Sequence, residues 1–227
     1  MHVTLTFDNG PDPEETPKVL AILERYGIRA TFFLVAGKLR DPAMREMAVR
    51  THAAGHWIGN HTMSHGLPLG LVPDPDVPAR EIDDAQALLG ELSHPDRLFR
   101  PNGKGRVGRH LLSRGAMDRV VAGRYTVALW GVMPRDGGDP PGWPGRAMAY
   151  CEAREWSSVV VHDRVRGGMG FLEPFIEMVL KRGGSFRQES PPDVIPIHRG
   201  VLSPWAEMIV NDDPAARAAA FFGEVRP

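Results

Sequence analysis

The stretch Val3-Thr4-Leu5-Thr6-Phe7-Asp8-Asn9-Gly10-Pro11 carries the strongest fold signal in this sequence of 227 residues. Apolar side chains alternate with threonines up to Phe7, and this alternation predicts a β-strand. An acid directly after a first strand, followed by a Gly-Pro turn, is typical of α/β folds, which keep their reactive groups at the C-terminal ends of the strands. Asp8 is therefore the first candidate functional residue, with Asn9 beside it.

Outward from this stretch, short apolar segments alternate with amphipathic helical patterns, an order that predicts an α/β fold with a parallel sheet. The predicted strands are Val3–Phe7, Ala30–Val35, Trp57–Asn60, Leu98–Arg100, Tyr125–Trp130, Ser158–His162 and Ser185–Arg187. Two helices are predicted to begin at the N-cap pairs Thr16-Pro17 and Asp41-Pro42. The other predicted helices are Ile82–Leu92, His110–Ala116, Pro144–Trp156 and Phe171–Gly183.

A chain of this length can close such a sheet into an irregular (β/α) barrel of about seven strands. We expect residues 1–189 to form this barrel. Residues 190–227 have a proline cluster and an alanine-rich helical pattern at Pro214–Phe222, which indicates a C-terminal extension packed on the barrel.

The composition is that of an ordinary soluble domain, with 42% hydrophobic residues, 24% charged residues and a net charge of −1. No basic field favours nucleic acid or an anionic membrane as a partner, and no apolar run is long enough for a transmembrane helix. No leader pattern precedes the first strand, so we expect a cytoplasmic protein unless a leader has been removed. The single cysteine, Cys151, excludes an intrachain disulfide and is interpreted as a buried thiol.

Polar residues follow the predicted strands in succession. His61 and His65 follow the third strand, Arg100 ends the fourth, Asp136 lies beyond the fifth, and His162 ends the sixth. The i, i+4 spacing of the two histidines would place both imidazoles on one face of a helical turn, an arrangement that suits a divalent metal.

His52 and His56 have the same spacing as the first histidine pair but lie where a helix should end. We therefore expect only the pair that follows a strand to form a site. Each other candidate also has a purely structural alternative: Asp8 could cap a turn, Arg100 could form a surface ion pair, and His162 could be a core histidine. Their joint occurrence at successive strand ends favours a catalytic site.

Four motifs in this order resemble the polysaccharide deacetylase family, which includes chitin, chitooligosaccharide and peptidoglycan deacetylases. The motifs are Thr6–Pro11, Asn60–His65, Phe99-Arg100-Pro101 and Val160-Val161-His162-Asp163. The resemblance covers about residues 1–188. It implies a metal-dependent hydrolase that removes N-acetyl or related acyl groups from an oligosaccharide or a small acylated amine.

The resemblance also implies a role for each candidate residue. Asp8 corresponds to the general base, Arg100 to the residue that pairs with it, and His162 to the general acid, which Asp136 could tune. The implied ligands of Zn²⁺ or another divalent metal are Asn9, His61 and His65. The chemistry is consistent with metal-assisted hydrolysis, in which a base activates water and a separate acid serves the leaving group.

Two departures from the family pattern stand out. Asn9 replaces the usual aspartate ligand, so the site offsets less of the cation's charge and we expect weaker metal binding. The third motif continues as Asn102-Gly103-Lys104-Gly105 and lacks the family's aromatic residue, although Lys104 could reach an anionic group of the substrate. These departures leave two alternatives open: a small-molecule amidase that uses weakly bound metal or none, and a catalytically impaired homologue that binds a glycan or a protein.

Overall fold

A curled, mostly parallel β-sheet with helices packed around it forms the centre of the computed structural model, which describes residues 1–164, 168–215 and 217–218. The strands are β1 (His2–Asp8), β2 (Thr31–Leu34), β3 (Trp57–Asn60), β4 (Leu98–Phe99), β5 (Leu112–Ser113), β6 (Thr126–Val127), β7 (Trp156–His162), β8 (Ser185–Arg187), β9 (Ile197–His198), β10 (Val201–Leu202) and β11 (Val210–Asn211). The α-helices are α1 (Glu15–Arg25), α2 (Pro42–Ala53), α3 (Ala85–Leu89), α4 (Arg114–Ala122), α5 (Trp143–Glu152) and α6 (Leu172–Lys181). A π-helical segment, Ala79–Asp84, leads into α3.

The strand order is β10-β9-β6-β4-β3-β2-β1-β7, with β8 paired to the start of β1. All pairings from β6 to β7 along this order are parallel. An isolated parallel bridge between Val132 and Val159 joins the segment after β6 to β7, so the sheet curls until its two sides meet. This architecture confirms the predicted irregular (β/α) barrel, and it brings the C-terminal ends of the parallel strands to one edge.

The core consists of apolar side chains from the strands and the facing sides of the helices, whose removal from water drives folding. Phe7 of β1 stacks on Phe32 of β2 with ring centroids 4.8 Å apart. Trp143 and Cys151 of α5 are fully buried in the same cluster. Burial raises the pKa of the Cys151 thiol, and the interpretation of this residue as a buried thiol is confirmed.

Two predicted helix starts are wrong. Helix α1 begins at Glu15, so Thr16 lies inside it, where its hydroxyl donates to Asp163 Oδ2 at 2.5 Å instead of capping the helix. The predicted helix His110–Ala116 is interrupted because Leu112–Ser113 form β5, which pairs with β11. Helix α4 starts only after Ser113, whose hydroxyl oxygen accepts from the backbone N–H of Ala116. The cap at Asp41, by contrast, is confirmed.

Two strands beyond residue 190, β9 and β10, add to the sheet itself. Strand β9 pairs antiparallel with β6 through Ile197 and Val127, and both side chains belong to one core cluster. The boundary at residue 189 stays a prediction, and the predicted helix Pro214–Phe222 lies partly outside the described residues. Throughout the described ranges, every helix is too short or too polar to span a lipid bilayer.

Candidate active site

The candidate site is a cleft of about 240 Å³ at the edge where the parallel strands end. Asp8 is the last residue of β1 and His162 the last of β7, and the two are register partners in adjacent strands. The loops after β3 and β4 bring in the remaining groups. The predicted site residues that line the cleft are Asp8, Asn9, His61, His65 and His162. Strand ends distant in sequence therefore converge as expected for a barrel enzyme.

Asp8 and Arg100 form a buried ion pair. Nη1 of Arg100 donates to Oδ1 of Asp8 at 2.7 Å, and both side chains are almost completely inaccessible to solvent. Arg100 also donates to the carbonyl oxygens of Ala128 and Leu129, each at 2.8 Å, and its guanidinium lies 3.9 Å from the ring centroid of Phe33. The alternative of a surface ion pair is wrong, because Arg100 is fixed inside the barrel.

The Arg100 charge decides the protonation state of Asp8. Burial alone would raise the pKa of this carboxyl, but the charge and hydrogen bond of Arg100, with smaller contributions from His61 and His162, bring it below its ordinary value. Asp8 is therefore an ionised carboxylate whose second oxygen, Oδ2, lies 3.6 Å from Nε2 of His61. A carboxylate in this state can accept a proton.

His61 and His65 lie in an irregular loop, and the prediction that they share a helical turn is wrong. Thr62 and His65 both have positive φ angles, of 67° and 53°, which an α-helix does not allow. The two rings nevertheless lie side by side, with centroids 4.8 Å apart. The ring N–H at Nδ1 of His61 donates to the carbonyl oxygen of Arg100 at 2.7 Å, which leaves Nε2 as the unprotonated nitrogen.

Asn9 lines the same cleft as this histidine pair and carries a buried amide oxygen. Its backbone has a φ of 74°, and its Oδ1 has no hydrogen-bond partner among the described residues. A buried polar atom without a partner is destabilising by roughly 1–3 kcal/mol, so a water molecule or a cation that satisfies this oxygen would be stabilising. The turn itself is held from outside the cleft, since Nζ of Lys38 donates to the carbonyl oxygens of Asn9 at 2.7 Å and Pro11 at 2.8 Å.

The chemistry of these three side chains fits a divalent cation. Burial lowers the pKa of both histidines, in His65 to about 3 with further contributions from His61 and Arg164, so both imidazoles are neutral and able to ligate. Within the described part of the chain, no three His, Cys, Asp or Glu side chains converge to hold a metal ion. A cation at this place would therefore need the Asn9 amide oxygen as its third protein ligand.

His162 and Asp136 form a second pair at the cleft. Nδ1 of His162 donates to Oδ1 of Asp136 at 3.0 Å, and the backbone N–H of His162 donates to Oδ2 at 2.8 Å. Burial by itself would lower the pKa of His162, but the hydrogen bond and charge of Asp136 raise it above its ordinary value. His162 is thus an imidazole that lines the cleft and is more readily protonated than an ordinary histidine, and the alternative of a core histidine is wrong.

Sequence reasoning missed the groups that support the turn at Asn9. Asp163 is fully buried, and its carboxylate fills the space where a Cβ on Gly10 would lie. Burial raises the pKa of Asp163 to about 6. Asp163 directly follows the end of β7, and Lys38 follows the end of β2 within the short helix Ala36–Arg40. Their positions after strands were the available signal. Asp163 even belongs to the fourth motif, beside His162, but the sequence analysis gave it no role.

The second histidine pair, His52 and His56, lies away from the cleft. His56 is buried away from the cleft, where Nδ1 accepts from the backbone N–H of Ala30 at 3.1 Å. Burial lowers the pKa of His56 to about 4, and His52 is exposed on the outer face of α2.

Comparison with known proteins gives a consistent result. A family model described as polysaccharide deacetylase matches residues 1–111. A peptidoglycan-N-acetylglucosamine deacetylase of Bacillus cereus is 44% identical over 164 residues, which cover 71% of this chain and 72% of that protein. The peptidoglycan-N-acetylmuramic acid deacetylase PdaC of Bacillus subtilis is 28% identical over 182 residues, or 80% of this chain, and the match spans about a third (36%) of PdaC.

Among solved structures, a family 4 acetyl xylan esterase from Clostridium thermocellum in complex with a cobalt ion superimposes with a TM-score of 0.67. The superposition covers 83% of this chain and 88% of the esterase, with 25% sequence identity.

Proposed function

Because the chain belongs to the polysaccharide deacetylase family, we propose that it hydrolyses N-acetyl groups on a carbohydrate with the aid of a divalent cation. One observation carries the proposal. The same small cleft is lined by an ionised carboxylate, Asp8, and by an imidazole of raised pKa, His162, each fixed by its own buried partner. A base and an acid tuned in opposite directions are what hydrolysis of an amide requires.

His61, His65 and Asn9 are the residues that would hold the cation, through two imidazole nitrogens and the amide oxygen that otherwise has no partner. A bound divalent cation supplies Lewis acidity, which polarises an acyl carbonyl and lowers the pKa of water. The neutral Asn9 offsets none of the cation's charge, so we infer that binding is weaker than with a carboxylate ligand.

The chain's own residues carry the protons. Asp8 accepts a proton from the attacking water while the oxygen of that water bonds to the acetyl carbon. His162 donates a proton to the sugar nitrogen as the carbon–nitrogen bond breaks, so that acetate and a free amine leave. Arg100 keeps Asp8 ionised and oriented, and Asp136 raises the pKa of His162 and so favours its protonated form.

The names of the relatives support the choice of substrate. Both curated relatives are described as acting on N-acetylated sugars of peptidoglycan, and the alternative of a small acylated amine has no comparable support. A glycan with exposed N-acetyl groups is therefore the substrate class that we propose.

Acetate release from N-acetylglucosamine oligomers and from peptidoglycan tests the proposal. We expect turnover by the unmodified chain and a loss of about 10²–10⁴-fold in both Asp8→Asn and His162→Gln. His52→Gln, which changes an exposed histidine away from the cleft, is the matched control and should keep full activity. Absence of acetate release from every glycan at any added cation would refute the proposal, and turnover of small amides alone would assign the chain to that substrate class instead.

A further inference from the structure

Two basic residues on the rim of the cleft have no role in the proposed chemistry. Lys104 lies in the loop after β4, and Arg164 lies in the loop after β7, two residues beyond His162. Both side chains are exposed, and both line the same cleft as Asp8 and the histidines. Among the described residues, neither forms an ion pair with a carboxylate, in contrast to Arg114, which pairs with Glu207 and Asp212.

The charge of these two side chains is not balanced inside the cleft. Asp8 is the one carboxylate among the described residues that line it, and Arg100 already neutralises Asp8. The carboxylate of Asp136, which lies behind His162, is likewise engaged by that imidazole. A cleft lined by excess positive charge with low-dielectric walls concentrates anions.

Lys104 is also held in place by its loop. Its backbone has a φ of 49°, and its N–H donates to Oδ1 of Asn102 at 3.1 Å. The Asn102 amide in turn donates to the carbonyl oxygen of Gly66 at 2.5 Å, which ties this loop to the one that carries His65. The start of the Lys104 side chain is therefore fixed relative to the histidine pair, which reduces the entropy that a contact there must overcome.

We propose that Lys104 and Arg164 form a subsite for a carboxylate of the substrate, so that the preferred glycan carries an acidic group close to its N-acetyl group. This inference rests on the proposed function, since it names a feature of the substrate on which that function acts. The ordinary alternative is that both cations are merely solvated, in which case an acidic group would bring no advantage in binding.

The test compares ligands that differ only in charge. We would measure dissociation constants by titration calorimetry for an N-acetylglucosamine disaccharide with an ether-linked carboxylate on the acetylated sugar, and for its primary amide. A third ligand carries the carboxylate on the neighbouring sugar and distinguishes the two positions. The dissociation constants do not depend on turnover. Failure of the proposed function would instead appear as absence of acetate release, so the two outcomes are distinguishable.

We expect the unmodified chain to bind one of the two acids more tightly than the amide, with each cation contributing about two- to fivefold. Lys104→Gln and Arg164→Gln should each remove that share of the preference, and added salt should weaken it. Lys181→Gln, at an exposed lysine at the end of α6, is the control and should retain the full preference. Equal affinity for acids and amide, or a preference that both variants retain, would overturn the inference.

Discussion

Nζ of Lys38 lies 2.7 Å from the carbonyl oxygen of Asn9. The ammonium group of Lys38, in the short helix after β2, therefore holds the turn at Asn9, a residue that lines the cleft. The same ammonium group also bonds the carbonyl oxygen of Pro11. Asn9 adopts a positive φ of 74°, a conformation that asparagine tolerates better than most residues with a side chain and that its surroundings help to hold. Lys38 is a large part of those surroundings.

Lys38→Met should therefore destabilise the protein and weaken cation binding together. Loss of charge-assisted hydrogen bonds to two carbonyl groups is expected to lower the free energy of unfolding by about 1.5–3 kcal/mol. Urea unfolding and cation titration measure the two effects. Lys181→Met is the control, because Lys181 is exposed at the end of α6 away from the cleft, and it should change stability by less than about 0.5 kcal/mol. An unaltered cation affinity in Lys38→Met would show that the turn does not need this support.

The close approach of Gly10 to Asp163 predicts that the two positions are coupled in stability. Any side chain on Gly10 would meet the buried carboxylate of Asp163, so Gly10→Ala should destabilise by about 1–3 kcal/mol. In an Asp163→Ala background the carboxylate is absent and the same change should be distinctly milder. Thermal unfolding of both single variants and the double variant measures this coupling. Additive effects would contradict the close approach of these two residues.

The pair of His162 and Asp136 predicts a change in pH dependence. His162 acts as an acid only when protonated, and Asp136 raises its pKa, so activity should persist to higher pH than an ordinary histidine allows and decline as pH rises through that raised value. Asp136→Asn keeps a hydrogen-bond acceptor but removes the charge, which should lower the pKa of His162. The alkaline limb of the kcat profile should then move to lower pH, and an unmoved limb would assign the proton to another group.

Much of the site could be predicted from the sequence because its residues follow strands, and strand patterns are local. Asp8, His61, Arg100 and His162 all lie where the alternation of elements placed them. The contact between Asp136 and His162 was harder to predict from the sequence. The two residues are 26 positions apart, and the irregular path of the chain after β6 brings them together.

Local spacing failed where tertiary contacts fix the backbone. The i, i+4 spacing of His61 and His65 suggested a helical turn, but positive φ at Thr62 and His65 builds a loop instead. That loop is anchored by backbone hydrogen bonds from Ala36 to Thr62 and from Gly37 to Met63. No periodicity within the motif encodes such contacts, and the same holds for the strand β5 inside the predicted helix His110–Ala116.

In the proposed reaction, His61, His65 and Asn9 hold a divalent cation without which acetate is not released. The most direct measurement is titration of Zn²⁺ into chelator-treated protein, followed by both binding and acetate release, for the unmodified chain, Asn9→Asp and Asn9→Ala. We predict that acetate release stops on chelation and returns with the cation. Affinity should rise in Asn9→Asp and fall in Asn9→Ala. Acetate release that survives chelation, or an Asn9→Ala variant that binds Zn²⁺ as tightly as the unmodified chain, would contradict the account.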